Sequence, residues 1–559
     1  MVESFSESEK KILLRFCSNI DKPIFVLKNL PEAVKGALFS RYSRSAKGLR
    51  RLLLDEFIQN PDLDFQDIVE REIGTGMDAL VATKKADTFY ARVLDGFGDD
   101  SVGELGGAHV AIEDVSNIAT KVLEDARLGG SPLEKSSRYV FFDQKENGEY
   151  RFLREPTIMA SEFADDYLQV NNLLFDTYSK LVQPVSHFFE EHFPIENFSF
   201  IVDYTTKEEQ KFPTISDETI QKRAQNAYHA SIRAKTCDVL RYLLPVSTLT
   251  NLGIFGNGRF FEYLLRKLYS NPLKEMNQIA DCMHTELNTV IQPFVRRAKP
   301  DSYLSDLYQE SRNHIQKIVP PEKTPSNSVS LVHFDPNAEE KVLTHALFEH
   351  SRLSLEQCQK MVSTLSSEEK AVLLKTIVGK RRTRRDKPSR AFENAFYTFS
   401  LLGDYGMYRD LQRHRVLTQQ RQEITVAHGF ETPAELITAG FEKDFVDALK
   451  SAEDLYNRMY PKLSLEAQYV VPFAYRIQWY ITMNLREAFH FMELRSSKQG
   501  HPSYRRMTQQ MYHEIEKVHP TLAKLLQFVD LNSYDLARID AEMRSQHKKG
   551  DREKESKAA

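Results

Sequence analysis

In the stretch GRFFEYLLRKLY, Gly258–Tyr269, the apolar positions Phe260, Phe261, Leu264, Leu265 and Leu268 recur at three-to-four spacing. That period predicts a helix with one stripe turned to a core. Runs with β character are shorter and fewer: Gly106–Ile112, Arg138–Asp143, Phe198–Tyr204, Asn327–Asp335 and Phe396–Leu402. Their β-branched and aromatic content predicts short strands between long helices, hence helix-rich α+β units.

The segment IVPPEKTPSNS, Ile318–Ser328, carries three prolines among polar residues and predicts a boundary. This gives a first unit over 1–317, a linker over 318–328 and a second unit over 329–543. The tail from Arg544, RSQHKKGDREKESKAA, is charged and poor in apolar residues, and is expected to be disordered over 544–559. The run GKRRTRRDK, Gly379–Lys387, reads as a solvated loop or as one facing a phosphate.

The two halves share a pattern. Asn257 lies twelve positions after Pro245 with Arg259 two further on, and Asn484 lies twelve after Pro472 with Arg486 two further on. Upstream, a strand, a turn and a helix run from Glu104 to Glu124 and again from Glu393 to Arg413, twenty positions each. Two matches in the same order point to duplication.

Composition narrows the function. The formal net charge of −4 and pI near 6.5 give no bulk attraction for nucleic acid or anionic membrane, so a nucleic-acid partner is not expected. Cys17, Cys237, Cys282 and Cys358 are scattered without a CxxC pair, which argues against a disulfide framework or a structural zinc and for free thiols in a reducing compartment. No apolar run approaches the roughly 18–20 residues of a membrane helix. A soluble, cytoplasmic protein is expected. GIFGNG, Gly253–Gly258, does not have the dinucleotide spacing of glycines, and CMH at Cys282–His284 lacks further metal ligands, so no metal site is expected.

In RHRVLTQQRQEI, Arg413, His414 and Arg415 stand together, with Thr418 after them. This resembles the start of the flavin-dependent thymidylate synthase signature, in which R-H-R is followed by spaced Ser, Glu, Ser, Arg and Tyr. Arg421, Glu423 and Thr425 depart from the later positions of that signature. The first half shows the complementary loss: Ser131, Glu134, Ser136, Arg138 and Tyr139 match the later positions, while Ala126, Arg127 and Leu128 replace R-H-R. Arg241 matches a substrate-binding arginine, Asn484 and Arg486 match flavin contacts, and Arg495 matches the arginine that activates the pyrimidine, where the first half has Leu268.

The resemblance implies two tandem repeats of that fold, each with a small, mainly antiparallel sheet. It implies reductive methylation of dUMP to dTMP with methylenetetrahydrofolate, FAD as cofactor and a reduced nicotinamide dinucleotide as reductant, NADPH or NADH. Family members resemble homotetramers with sites shared between subunits, so a homodimer of the fused chain would mimic the tetramer. A composite site is expected: Glu134, Ser136, Arg138 and Arg241 for the nucleotide, Arg413, His414, Arg415, Asn484 and Arg486 for the flavin, and Arg495 as the catalytic group. Ser136 and Arg138, two apart in an extended segment, would share a face. An inactive flavin- or nucleotide-binding descendant is the alternative.

Overall fold

The computed structural model of the protein describes residues 4–43, 45–58, 103–319 and 327–558. These hold nine strands: β1 Gly107–Ser116, β2 Gly130–Glu134, β3 Ser199–Asp203, β4 Glu208–Lys211, β5 Leu249–Asn257, β6 Val329–Phe334, β7 Phe396–Asp404, β8 Leu417–Arg421 and β9 Arg476–Asn484. Long helices make up most of the rest, so the fold is helix-rich α+β with small antiparallel sheets.

Two compact units emerge, and they do not follow the halves of the sequence. One gathers Met1–Lys135 with Leu249–Pro321; the other gathers Ser136–Thr248 with Glu322–Ala559. The second unit is held across the halves by main-chain pairing. Val246 N–H donates to the Val471 carbonyl and Phe473 N–H to the Leu244 carbonyl, both at 2.9 Å, about an antiparallel bridge between Pro245 and Pro472. The bonds fall at matching offsets from the two prolines, as a local two-fold axis requires. Helices Ala164–His192 and Glu442–Met459, one from each half, also pack together.

The duplication is visible in topology. In the first unit the sheet order is β1-β5-β2; in the second it is β6-β7-β9-β8, the same three-stranded core with β6 added at one edge. Register agrees as well. Ser131 faces Phe255, two before Asn257, and Thr418 faces Thr482, two before Asn484. The shared Asn has a local cause: its side chain caps the following helix, Asn257 accepting from Phe260 N–H and Asn484 from Glu487 N–H, both at 2.8 Å. Ser116 and Asp404 cap the other strand-to-helix junctions in the same way.

Several expectations are revised. Arg138–Asp143 is not a strand: Ser136 bonds forward through its hydroxyl to Arg138 N–H (3.2 Å) and through its carbonyl to Tyr139 N–H (3.4 Å), closing a turn. Strands β5 and β9 went unrecognised because each runs directly into its helix. The tail is not without structure; a helix spans Ile539–Ala558, favoured by its Ala, Lys, Glu and Arg and anchored by buried Ile539 and Met543. Of the 318–328 linker, residues 320–326 lie outside the described residues. Among the described residues no helix is long and apolar enough to cross a membrane.

The basic run 379–387 is also partly internal. Arg381 forms a bidentate pair with Glu493 (2.7 and 2.5 Å), donates to the Asp386 carbonyl at 2.6 Å and lies over the rings of Phe489 and Phe528. Both side chains of the pair are buried. Breaking such a pair strands the other charge, so Arg381→Leu is expected to cost about 3–5 kcal/mol. Denaturant unfolding of the full chain checks this, with Arg385→Ala, on the exposed side of the same run, leaving the midpoint unchanged.

Candidate active site

Signature residues from both halves converge within the second unit. Arg138, in the turn after Ser136, makes a fork with Asp238 (Nε–Oδ1 2.8 Å, Nη2–Oδ2 3.0 Å), a residue near the end of helix Glu218–Leu240. Arg538 adds a second guanidinium to Asp238 and donates to the Arg138 carbonyl. Burial alone would raise the Asp238 carboxyl, but Arg138 and Arg538 hold it well below the ordinary range.

Arg241 begins the next turn and is 1 % exposed. Its Nη1 donates to Asp410 Oδ2 at 3.1 Å, while Nε and Nη2 have no hydrogen-bond partner. A Cβ added at Gly406 would lie 3.3 Å from each of these nitrogens and 3.1 Å from Asp404 Oδ1, so the position has no room for a side chain. Asp410 sits at the end of helix Tyr405–Leu411, and Arg413 Nη2 is 4.0 Å from its other oxygen. Burial again opposes the charge, yet Arg241, Arg138, Arg413 and Arg495 together hold the Asp410 carboxyl far below its usual range.

Arg495 and His414 fix each other. Arg495 Nε lies 2.9 Å from His414 Nε2, and an arginine can only donate. His414 Nε2 is therefore the acceptor, and the ring carries its proton on Nδ1, which donates to Glu487 Oε1 at 2.8 Å. Burial, with help from Arg495, pushes His414 down to about 4 against the pull of Glu487. His490 approaches the same Glu487 oxygen at 3.3 Å. The three groups are close enough to suggest a cation site, but the proton on Nδ1 and the Arg495 N–H on Nε2 leave His414 no lone pair to offer. The Tyr504 hydroxyl accepts from Arg138 Nη1 at 3.3 Å, and both Arg138 and Arg495 lie over its ring at 5.6 and 5.8 Å.

The other expected residues are placed as follows. Glu134 belongs to the first unit, buried, 2.8 Å from Lys121 Nζ, which also reaches Glu124. Ser136 is half-buried beside Arg138, in a turn rather than on a shared strand face. Arg413 and Arg415 are exposed. The Asn484 side chain caps its helix, and Arg486 is held by Glu393 (3.1 Å) and the Pro388 carbonyl (2.8 Å). Cys237 is buried, which pushes its thiol up to about 12 and leaves it a packing residue.

Beside this cluster a cavity of about 640 Å³ is lined by Asp238, Tyr242, Asp404, His501, Ser503 and Arg538 among others. A chain of hydrogen bonds runs along it. His501 Nε2 faces the Asp238 carbonyl at 3.1 Å and so donates; Ser503 Oγ then donates to Nδ1 at 2.6 Å and accepts from the Tyr242 hydroxyl at 2.8 Å. The single proton of the Tyr242 hydroxyl is shared between Ser503 Oγ and Asp404 Oδ2, 3.4 Å away. Burial raises that carboxyl to about 6. Asp238, Asp410, Tyr504 and Arg538 were missed from sequence; of these only Asp410, three positions before Arg413 at a helix end, carried a local signal.

The model for the thymidylate synthase complementing protein family, Thy1, matches residues 65–291 and 330–521, and the chain belongs to that family, with its domain present twice. Over 551 residues the chain is 43% identical to a UPF0159 protein of Chlamydia muridarum, covering 97% of this chain and 98% of that one. A UPF0159 protein of Thermoplasma acidophilum is 34% identical over 528 residues, 92% and 99% of the two chains. The flavin-dependent thymidylate synthase of Sulfolobus acidocaldarius is 30% identical over 144 residues, 24% of this chain and 54% of that one. Among solved structures, the flavin-dependent thymidylate synthase of Helicobacter pylori complexed with FAD and dUMP aligns with a TM-score of 0.27 at 16% identity, covering 36% of this chain and all of that one.

The buried neutral His414 sets a pH dependence. The unfolded chain binds a proton on this ring below about 6.5 while the native chain does not until about 4, so unfolding takes up a proton in that window and stability falls as pH falls. The loss is on the order of 3 kcal/mol. Asp404 works in the opposite direction between about 4 and 6, so the test is the difference between wild type and His414→Gln. That difference is expected to shrink from pH 7 to pH 4 in urea melts.

Proposed function

We propose that the chain is a flavin-dependent enzyme that methylates deoxyuridylate to thymidylate at a composite site built from both repeats. The observation that carries this reading is the convergence of Arg138 and Arg241 from one half with Arg413 and Arg495 from the other around a single carboxylate, Asp410. Each half of the signature is broken in sequence, and Arg138 and Arg241 from one half share a unit with Arg413 and Arg495 from the other. Family membership and the flavin-dependent relatives support the same chemistry.

The donor set suits the proposed ligands. Arg413 and Arg415, exposed cations on the segment after helix Tyr405–Leu411, suit a pyrophosphate such as that of FAD. Arg241, with two buried donors left over, suits the phosphate of a nucleotide, with Ser136 beside the anchored Arg138. When bound, the flavin supplies the hydride, drawn from a reduced nicotinamide dinucleotide, that turns the one-carbon unit of methylenetetrahydrofolate into a methyl group.

The chain's own residues bind and polarise. Arg495 is too basic to take a proton, but its guanidinium, oriented through Nε by His414, stabilises negative charge developing on a pyrimidine ring. His414 acts as a positioning residue, since both of its nitrogens are engaged within the protein. Asn484 and Arg486 serve the fold through the helix cap and Glu393, and shape the helix start at which the flavin is expected. A homodimer would then mimic the family's tetramer, with about one flavin per chain.

The purified protein is expected to carry or accept FAD, and its reduced flavin to reoxidise anaerobically only when deoxyuridylate and methylenetetrahydrofolate are both present, with thymidylate formed. Arg495→Lys is expected to retain flavin and lose about 10²–10³ in kcat. Flavin binding without turnover would favour a ligand-binding descendant, a reading to which the internal engagement of Asn484 and Arg486 lends weight.

A further inference from the structure

Between the two segments that match the family, 65–291 and 330–521, lies a helix that belongs to neither, Ser302–Ile318. Its start is fixed. Asp301 caps it, accepting from Tyr303 N–H at 3.1 Å, and takes Arg266 Nη2 on its other oxygen at 2.5 Å. The Asp301 N–H donates in turn to Ser270 Oγ at 3.0 Å. Beyond that anchor, none of the 17 residues of the helix is buried.

Helices in proteins owe most of their stability to the packing of an apolar face, and here such a face is uncovered. Leu304, Tyr308, Ser311, Ile315 and Ile318 alternate four and three apart, the seam spacing of paired helices, with Leu307 beside them. Leu307 is 48% exposed, Ile315 52% and Ile318 68%. Single exposed apolar residues are ordinary, but these fall on one stripe.

Charge selects the occupant. Asp306 and Glu310 lie in the first half of the helix, Arg312 and Lys317 in the second. Two acids and two bases leave the polar side balanced, whereas a helix lying on an anionic membrane carries a basic one. Two copies set antiparallel bring the acidic half of one against the basic half of the other; set parallel, they oppose like charges. The antiparallel arrangement has its two-fold axis at the small Ser311, with Leu304 of each copy opposite Ile318 of the other and Leu307 opposite Ile315.

We infer that helix Ser302–Ile318 is a self-association element that pairs antiparallel with the same helix of a second copy of this chain. The inference does not rest on the flavin chemistry proposed above; it names a contact between copies that the proposed homodimer leaves unspecified.

The test uses the full-length chain. In sedimentation velocity, Leu307→Glu combined with Ile315→Glu is expected to raise the dissociation constant of the dimer at least about tenfold. Both positions are exposed, so the melting temperature of the separated chains is expected to stay at the wild-type value. An unchanged dissociation constant assigns association to another surface and overturns the inference, as does a wild type that stays monomeric. Orientation is read by cysteines in a Cys282→Ser background, since Cys282 is exposed. Leu304→Cys and Ile318→Cys chains are oxidised separately, and also after mixing in the reduced state. A disulfide-linked dimer formed in the mixture and not by either variant alone supports the antiparallel pair. Linking of each variant to itself overturns it in favour of a parallel pair, and no linking in any combination overturns it altogether. Should the double glutamate variant not fold, the cysteine pair decides. None of these readouts involves FAD or deoxyuridylate, so the helix pair and the proposed function fail separately.

Discussion

Paired main-chain hydrogen bonds about Pro245 and Pro472 fix where every functional side chain of the second unit can be. They tie the strand-like segment after Arg241 to its counterpart in the other half, at offsets that obey a local two-fold axis. Because Arg241 lies only four residues before Pro245, this pairing carries it to the helix that ends in Asp410. Without it, the remnants of the two signatures would sit on separate units. The matching offsets give the contact the isologous form of two-fold-related segments.

Around that joint the electrostatics form two layers. Asp238 with Arg138 and Arg538 is a closed, multiply bonded network, and such networks specify one arrangement of their elements more than they add net stability. Asp410 with Arg241, Arg413 and Arg495 is more open, and there the orphaned donors are found. The first layer holds the turn of Ser136–Tyr139 in place. Arg495 joins the layers through Tyr504, whose hydroxyl accepts from Arg138 and whose ring lies beneath both guanidiniums. His414, neutral and held between Glu487 and Arg495, aims the catalytic candidate without contributing a charge of its own.

Much of this was legible from residue order. Helix Gly258–Tyr269 follows from its stripe, and the Asn of the repeat proves to be a helix cap at the end of a strand, a local role that spacing alone can carry. The candidate arginines Arg138, Arg241, Arg413 and Arg495 do assemble. Their partners were invisible because they are long-range: Asp238 meets Arg138 across one hundred positions, and Tyr504 meets it across 366. Nothing in a periodicity reports which distant carboxylate a guanidinium will find. The same limit hid the division into units, since the allegiance of 136–248 is decided by pairing at Pro472, in the other half of the chain.

Glu134 shows what divergence did to the other copy. In the second repeat the register position of Glu134 is Arg421, and the capped helix after β7 carries Arg409 and Asp410. In the first repeat the helix after β1 carries Lys121 instead, and Lys121 closes on Glu134 and Glu124 with no exposed surface on its side chain. A buried lysine satisfied by two carboxylates has no charge left to offer an anion. The charged groups of one copy thus turned inward and became part of its core, while the other retains Arg413 and Arg495 beside Asp410. Segment 136–248 groups with the second repeat and brings Arg138 and Arg241 to the copy that retains Arg413 and Arg495, so the arginines scattered over both halves of the sequence are gathered in one unit.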